Sequence, residues 1–305
     1  MNPYLQPHSE ANAQTQRCIT DEQAAFFLEN GYLIIRNVIA GEELKRLQEE
    51  TQEIVHKGLA CVNVDGDYFY RMNENGQRTY WRTEYIIDKK DGAKSLLGHP
   101  FILRSVEKLQ GSNFIPTWDS LVVKIPGNAA AVPWHRDAAV PEDCADPRPI
   151  FNVDFYLDAA DLKSCLWVIP GSNHWDAGRS ADRCGGAGFD FTDAVPVPMN
   201  PGDVIFHNIQ LLHGSPEGAG NALRRTIYYE FRPGEIEMLH GPHTLEYLPL
   251  KQQVLLDCVE RRQQEPYAAD EVAFEYRPRG AFAISRKKTP ETYRYPFQEY
   301  WRQDS

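Results

Sequence analysis

The sequence lacks the features of membrane and exported proteins. No apolar run approaches the roughly 18 residues that a membrane-spanning helix requires. The first residues do not combine a positively charged start with an apolar core, as a secretory signal would. The last residues do not form a peroxisomal targeting tripeptide. The sequence therefore predicts a cytoplasmic protein without a membrane partner.

Clustered positive charge and closely spaced cysteines are also missing. A formal net charge of −11 argues against nucleic acid as a partner, because phosphate binding depends on clustered lysine and arginine. The 6 cysteines are scattered and form no Cys-x-x-Cys pair, which argues against structural zinc and against a redox dithiol. We expect reduced thiols, as in most cytosolic proteins.

The chain does contain enough apolar residues for a core, since 42% of its 305 residues are hydrophobic. Apolar residues at helical spacing predict helices at residues 21–30, 42–56, 100–111 and 245–262. Short β-branched and aromatic runs between Pro and Gly predict strands at residues 32–38, 119–125, 130–137, 150–157, 166–169, 195–198, 203–206, 210–213 and 224–231. This pattern favours a mainly β fold with flanking helices, of the α+β class, built as a sandwich or barrel.

A pair of metal-ligand side chains stands in the predicted strand 130–137. Side chains alternate along a strand, so His135 and Asp137 face one side while Arg136 faces the other. The pair thus presents an imidazole nitrogen and a carboxylate oxygen to one point. His-Arg-Asp also occurs in protein-kinase catalytic loops, but no Gly-rich nucleotide loop or Asp-Phe-Gly accompanies it here.

A third ligand is expected from a later strand end, where His213 precedes Gly214 and Ser215. His207 is the rival, but it lacks the following Gly-Ser and an arginine at a suitable spacing. Two histidines and one carboxylate on one face of an octahedral ion leave three positions open. This arrangement suits non-haem Fe(II), which must accommodate a bidentate 2-oxo acid and dioxygen.

An arginine follows at a position where it could bind 2-oxoglutarate. A hairpin across the Gly-rich loop 216–221 would bring Arg224 or Arg225 beside His213, and a guanidinium grips a carboxylate with two hydrogen bonds. The two arginines must face opposite sides of their strand. A hydrophobic-inside rule favours Arg225, which shares a face with Ile227. We prefer Arg224, because the interior of such a barrel carries the polar chemistry.

Several motifs in a fixed order resemble one known family. They are Asp21-Glu-Gln with Glu29-Asn-Gly-Tyr-Leu-Ile-Ile-Arg-Asn-Val38, Trp134-His-Arg-Asp137, Leu166-Trp-Val-Ile-Pro-Gly-Ser172, Pro201-Gly-Asp203, and His213-Gly-Ser with Arg224. From about Thr20 to Phe231 the chain resembles the phytanoyl-CoA dioxygenase family of Fe(II)- and 2-oxoglutarate-dependent oxygenases.

This resemblance implies a double-stranded β-helix, the jelly roll of cupin-like proteins, flanked by helices. We expect a single dioxygenase domain over residues 1–305. It would consist of a helical N-terminal cap at 18–112, a jelly-roll core at 113–233 and a C-terminal extension at 234–305.

The resemblance also implies the roles of individual residues. His135, Asp137 and His213 would be the iron ligands and catalytic residues, while Arg224 and Ser215 would hold the distal carboxylate of 2-oxoglutarate. The expected cofactors are Fe(II), 2-oxoglutarate as co-substrate and O2. Related halogenating enzymes carry a small residue in place of this aspartate. The presence of Asp137 therefore favours hydroxylation or another oxidation, such as desaturation or epoxidation.

The substrate is less well defined by the sequence. Arg82, Lys124 and Asn152 are candidate substrate-binding residues. We expect a small organic molecule of specialised metabolism as the partner. The alternatives are an acyl-thioester hydroxylase of the same family, a cupin-like metal enzyme that does not use 2-oxoglutarate, and a catalytically silent binding protein.

The C-terminal segment 265–305 is too aromatic for a free tail. We expect it to pack on the barrel or on a second subunit, and the latter would make a homodimer.

Overall fold

The structure, a computed structural model, describes residues 16–63, 65–138, 140–141, 143–184, 188–189, 191–218, 222–284 and 291–302. Its strands β1 to β11 are Tyr32–Ile35, Tyr68–Met72, Arg78–Glu84, Phe114–Lys124, Val132–His135, Phe151–Tyr156, Leu166–Val168, Val195–Val197, Val204–Asn208, His213–Ser215 and Arg224–Pro233. Its helices α1 to α8 are Asp21–Asn30, Gly41–Leu59, Ile86–Lys89, Asp91–Leu97, Pro100–Gln110, Ala177–Cys184, Gly234–His240 and Tyr247–Gln263.

The strands form two antiparallel sheets. The larger has the order β1-β9-β6-β11-β4-β3-β2, and the smaller has the order β5-β10-β7-β8. From β4 to β11 the chain passes repeatedly between four strands of the larger sheet and the four of the smaller one. This is the topology of a double-stranded β-helix, and the predicted jelly-roll fold is confirmed.

Strand β11 shows how the barrel separates polar from apolar side chains. Ile227, Tyr229 and Phe231 belong to the main hydrophobic core, which the helices cover on the outer face of the larger sheet. Arg224 and Tyr228, on the opposite face, line a cavity inside the barrel. The face predicted for Arg224 is therefore the one that it occupies.

The N-terminal segment fixes the edge of the larger sheet. The Thr20 and Gln23 side chains each accept a hydrogen bond from the other's backbone N–H, which forms a capping box at the start of α1. The helix ends at Gly31, whose φ of 79° belongs to the left-handed region. β1 then pairs with β9, with Tyr32 opposite His207. Because β1 to β3 join the sheet, the predicted cap is not purely helical.

One predicted strand is wrong, and others are shorter or longer than expected. The chain turns at residues 210–212 instead of extending: the Gln210 N–H donates to Asn208 Oδ1 and the Leu211 N–H to the Asn208 carbonyl, both at 2.9 Å. Strand β10 consequently begins at His213, whereas the predicted strand ends at that residue. The β2–β3 hairpin was not predicted, since its charged and aromatic residues follow no clear alternation. Residues 219–221 of the predicted Gly-rich loop lie outside the described residues.

The C-terminal segment packs back on the barrel, as one of the two predicted arrangements requires. Phe274, Tyr276 and Phe282 are buried, and the Tyr276 hydroxyl donates to the Phe114 carbonyl at 2.6 Å. The 6 cysteines are unpaired. Among the described helices, none is long and apolar enough to cross a membrane.

Gly202, in the turn before β9, lies close to the backbone of Val38 and Ile39, which follows β1. Its φ is 92°, and its carbonyl accepts hydrogen bonds from the Val38 and Ile39 N–H groups at 2.8 and 3.2 Å. A Cβ at this position would lie 2.2 Å from the Ile39 carbonyl oxygen. Only glycine fits there without displacing the backbone.

We predict that Gly202→Ala lowers the free energy of unfolding by about 1–3 kcal/mol more than Gly76→Ala does. Gly76 is a matched control, because its φ of 71° is also left-handed but nothing lies within 4 Å of its would-be Cβ. Denaturant unfolding followed by fluorescence measures both losses. Equal losses would show that the close approach of Gly202 to the Ile39 carbonyl does not affect the free energy of unfolding.

Candidate metal centre and its cavity

Three side chains converge at the junction of β5 and β10. The two strands are antiparallel, and His213 stands directly opposite His135. Asp137 lies just beyond the end of β5, where its N–H donates to the Ile209 carbonyl at 2.9 Å. Its Oδ1 lies 3.4 Å from His135 Nε2 and 3.6 Å from His213 Nε2. One potential ligand atom from each of the three residues lies within 4.8 Å of the others.

Both imidazoles are oriented by backbone carbonyls. His135 Nδ1 lies 2.8 Å from the Pro133 oxygen, and His213 Nδ1 lies 2.9 Å from the Leu211 oxygen. Since a carbonyl oxygen only accepts, each Nδ1 carries a proton, and in a neutral ring this leaves the lone pair on Nε2. Burial and the neighbouring His135 lower the pKa of His213 to about 3, so this ring is neutral at physiological pH.

The spacing and the donor types fit a ferrous ion. Adjacent octahedral ligands at about 2.1 Å from a metal stand about 3 Å apart, slightly closer than the distances between Asp137 Oδ1 and the two Nε2 atoms. Two imidazoles and one carboxylate are the donor set of non-haem iron oxygenases. His135, Asp137 and His213 could therefore hold Fe(II), as the sequence predicts.

The second carboxylate oxygen of Asp137 has its own partners. Oδ2 lies 2.9 Å from Asn152 Nδ2 and 3.0 Å from His207 Nε2, and His207 Nδ1 lies 2.8 Å from Asp154 Oδ2. Burial alone would lower the pKa of His207, but the charge of Asp154 and hydrogen bonds to both aspartates raise it to about 10. Burial raises the pKa of Asp154 to about 6.

Arg224 is a buried cation that lacks a carboxylate partner within the described part of the chain. Only 2% of its surface is exposed, and its side-chain hydrogen bond is a long one of 3.5 Å to Thr226 Oγ1. Its Nε is buried without a partner. Ser215 lines the same cavity. Because an unpaired buried charge is costly, this guanidinium is expected to meet an anion such as a carboxylate.

A cavity of about 570 Å³ connects these groups. It reaches from the candidate metal ligands and Arg224 to an aromatic wall, which is formed by Trp81, Trp118, Phe297 and Trp301. The rings of Trp118 and Phe297 are 4.7 Å apart. The last two aromatic residues come from the C-terminal segment, so this segment completes the cavity.

A sequence model described as phytanoyl-CoA dioxygenase (PhyH) matches residues 27–226, well over half of the chain. The chain belongs to the phytanoyl-CoA dioxygenase family. The dioxygenase lolE1 of Epichloe uncinata is 27% identical over 199 residues, which cover 64% of this chain and 75% of that protein.

Two solved structures have folds similar to that of this chain. EvdMO1 is 32% identical with a TM-score of 0.56, and the match covers 68% of this chain but only 49% of that one. SnoK is described as a non-haem α-ketoglutarate-dependent carbocyclase from nogalamycin biosynthesis. It is 18% identical with a TM-score of 0.57, over 72% of this chain and 85% of that one, and it shows the shared fold.

As a member of the phytanoyl-CoA dioxygenase family, the chain is an Fe(II)- and 2-oxoglutarate-dependent oxygenase that oxidises a small organic molecule. This family assignment agrees with the resemblance seen in the sequence. It decides against a cupin-like enzyme that does not use 2-oxoglutarate.

The predicted substrate-binding residues have different positions. Arg82 lines the cavity, and its guanidinium pairs with Glu84 at 2.7 Å. Asn152 also lines the cavity but donates to Asp137, so it supports the candidate metal centre. Arg136 faces away as predicted: it donates to the Ser172 carbonyl at 2.7 Å and to a second carbonyl nearby.

Lys124 does not lie where a substrate contact requires it. It stands opposite Arg224 in the β4–β11 pair, but its Nζ donates to the Ala130 and Pro216 carbonyls at 3.0 and 2.6 Å and is not part of the cavity wall. Burial and the charges of Arg224 and Arg71 lower its pKa to about 6. Its predicted role as a substrate contact is therefore not supported by its position.

Sequence reasoning missed His207 as a partner of Asp137, and Phe297 and Trp301 as cavity residues. A signal existed for the two aromatic residues, because the C-terminal segment is rich in rings. No sequence signal indicated the role of His207, because the side chains that contact it come from other parts of the chain.

We predict that Arg224→Gln raises the dissociation constant of 2-oxoglutarate by about 10- to 100-fold, because charge-assisted hydrogen bonds to the distal carboxylate are lost. The melting temperature of the ligand-free protein should stay the same or rise, since an unpaired buried charge is removed. Anaerobic calorimetry with Mn(II)-loaded protein measures the constant.

Arg225→Gln is the matched control. Arg225 is the next residue on the same strand, but its guanidinium pairs with Asp158, with Nε at 2.8 Å from Oδ2. Its loss should lower the melting temperature and leave the 2-oxoglutarate affinity unchanged. Wild-type affinity in the Arg224 variant would exclude Arg224 as the carboxylate-binding residue.

Proposed function

We propose that this oxygenase attacks a C–H bond of a small organic molecule in specialised metabolism, with hydroxylation, desaturation or epoxidation of that molecule as the outcome. His135, Asp137 and His213 would hold Fe(II), and Arg224 with Ser215 would hold 2-oxoglutarate. The observation that carries the proposal is the buried Arg224 guanidinium, which has no carboxylate partner among the described residues and lines the same cavity as the three ligand side chains.

The protein's own share of the reaction is binding, orientation and exclusion of water. When bound, the iron with its co-substrate and dioxygen supplies the oxidant for the C–H bond. His135 and His213 are held by backbone carbonyls at Nδ1, so their Nε2 atoms would bind the ion, and the aromatic side chains line the substrate cavity. Asp137 leaves no space for a halide in its place, which favours oxidation without halogenation.

The cavity supports a small molecule as the substrate. Its volume of about 570 Å³ lies within the range usual for ligands of drug size. The ring surfaces of Trp118, Phe297 and Trp301 suit a substrate with an apolar or cyclic face. SnoK, which has a similar fold, comes from nogalamycin biosynthesis by its description, and this supports the proposal of specialised metabolism.

An anaerobic titration tests the co-substrate part of the proposal. Fe(II)-loaded protein mixed with 2-oxoglutarate should develop a visible charge-transfer band near ~500 nm, as expected for chelation at an open facial site. Bound iron without the band would contradict the proposed 2-oxoglutarate site. Failure to take up iron would support the alternative of a catalytically silent binding protein.

Succinate release tests the substrate class. We expect at least one ring-containing small molecule to raise the rate above the substrate-free background, and acyl thioesters to leave it unchanged. Stimulation by acyl thioesters alone would replace the proposal with its alternative, an acyl-thioester hydroxylase.

We also propose that the protein is cytoplasmic and forms a homodimer. Light scattering on the purified protein measures the oligomeric state.

A further inference from the structure

One oxygen of the Asp137 carboxylate contacts buried side chains that are not themselves candidate metal ligands. Oδ2 meets Asn152 Nδ2 at 2.9 Å and His207 Nε2 at 3.0 Å, whereas Oδ1 faces the two candidate histidine ligands. His207 is held from behind by Asp154, with 2.8 Å between Nδ1 and Oδ2. His207 and Asp154 are 1% and 0% exposed.

The pairing of β6 with β9 produces this cluster. Asn152 stands opposite His207 in the register, so the two side chains share the cavity face of the sheet. Asp154 lies two residues further along β6 and therefore points to the same face. The three residues thus come from two neighbouring strands inside the larger sheet.

We propose that His207, held by Asp154 and assisted by Asn152, is a positioning residue that fixes Asp137 as a one-oxygen ligand. A carboxylate can bind a metal through one oxygen or through both. Two N–H donors on Oδ2 stabilise the orientation in which only Oδ1 is directed toward His135 and His213. This inference rests on the proposed metal centre and concerns how its carboxylate is held.

The same contacts exclude His207 as a metal ligand in its own right. Each of its ring nitrogens already faces a carboxylate oxygen, Nδ1 that of Asp154 and Nε2 that of Asp137. Neither nitrogen offers a lone pair to the point between His135 and His213. The ring of His207 is nevertheless close, with its centroid 4.7 Å from that of His213.

The test compares two substitutions of His207. His207→Leu removes both ring N–H groups of His207 and leaves Asn152 as the donor to Oδ2, whereas His207→Gln keeps one side-chain N–H that can reach Asp137. We expect the Leu variant to bind Mn(II) about 10- to 100-fold more weakly than the wild type, the range usual for groups that hold a metal ligand. The Gln variant should bind at least about five-fold more tightly than the Leu variant.

His99→Leu is the control for a general loss of stability. His99 is also buried, but it precedes α5 outside the cavity. Its substitution should lower the melting temperature of the metal-free protein and leave the Mn(II) affinity unchanged. Calorimetry measures the affinities, and thermal unfolding of the metal-free proteins measures stability.

Two results would overturn the positioning role while leaving the metal centre intact. One is wild-type Mn(II) affinity in His207→Leu, and the other is a His207→Gln variant that binds no more tightly than His207→Leu. A wild-type protein that binds no Mn(II) would instead reject the metal centre itself, and the positioning role with it.

Discussion

The antiparallel contact between β5 and β10 is the constraint on which the site depends. It places His213 opposite His135, although the two residues lie 78 positions apart in the sequence. Asp137 joins them because its N–H is tied to the Ile209 carbonyl, in the turn just before β10. A shift of this pairing by one residue would turn a histidine to the opposite face and disperse the three side chains.

The barrel must also tolerate several buried polar groups in its interior. It does so by separating the two faces of β11: the apolar residues pack beneath the helices, and the polar ones face the cavity. His207 links Asp154 to Asp137, and Asn152 donates to Asp137, whereas Arg224 has no carboxylate partner among the described residues. The lack of a carboxylate partner for Arg224 in the described part of the chain thus points to a ligand, because a purely structural arginine at this depth would have such a partner, as Arg225 has in Asp158.

Much of this site could be predicted from local patterns. The His-x-Asp spacing, the faces of β11 and the Gly31 helix end follow from short-range geometry, and the structure places them as expected. His207 could not be recognised, because its partners depend on the register between β6 and β9. The position of Lys124 was missed for a related reason: the carbonyls of Ala130 and Pro216 that bind it come from loops.

The most direct test is a structure of the protein with Mn(II) and 2-oxoglutarate, prepared without oxygen. We expect the metal to contact His135 Nε2, Asp137 Oδ1 and His213 Nε2, and the distal carboxylate of 2-oxoglutarate to meet Arg224. A metal bound by His207, or a distal carboxylate held away from Arg224, would contradict the account.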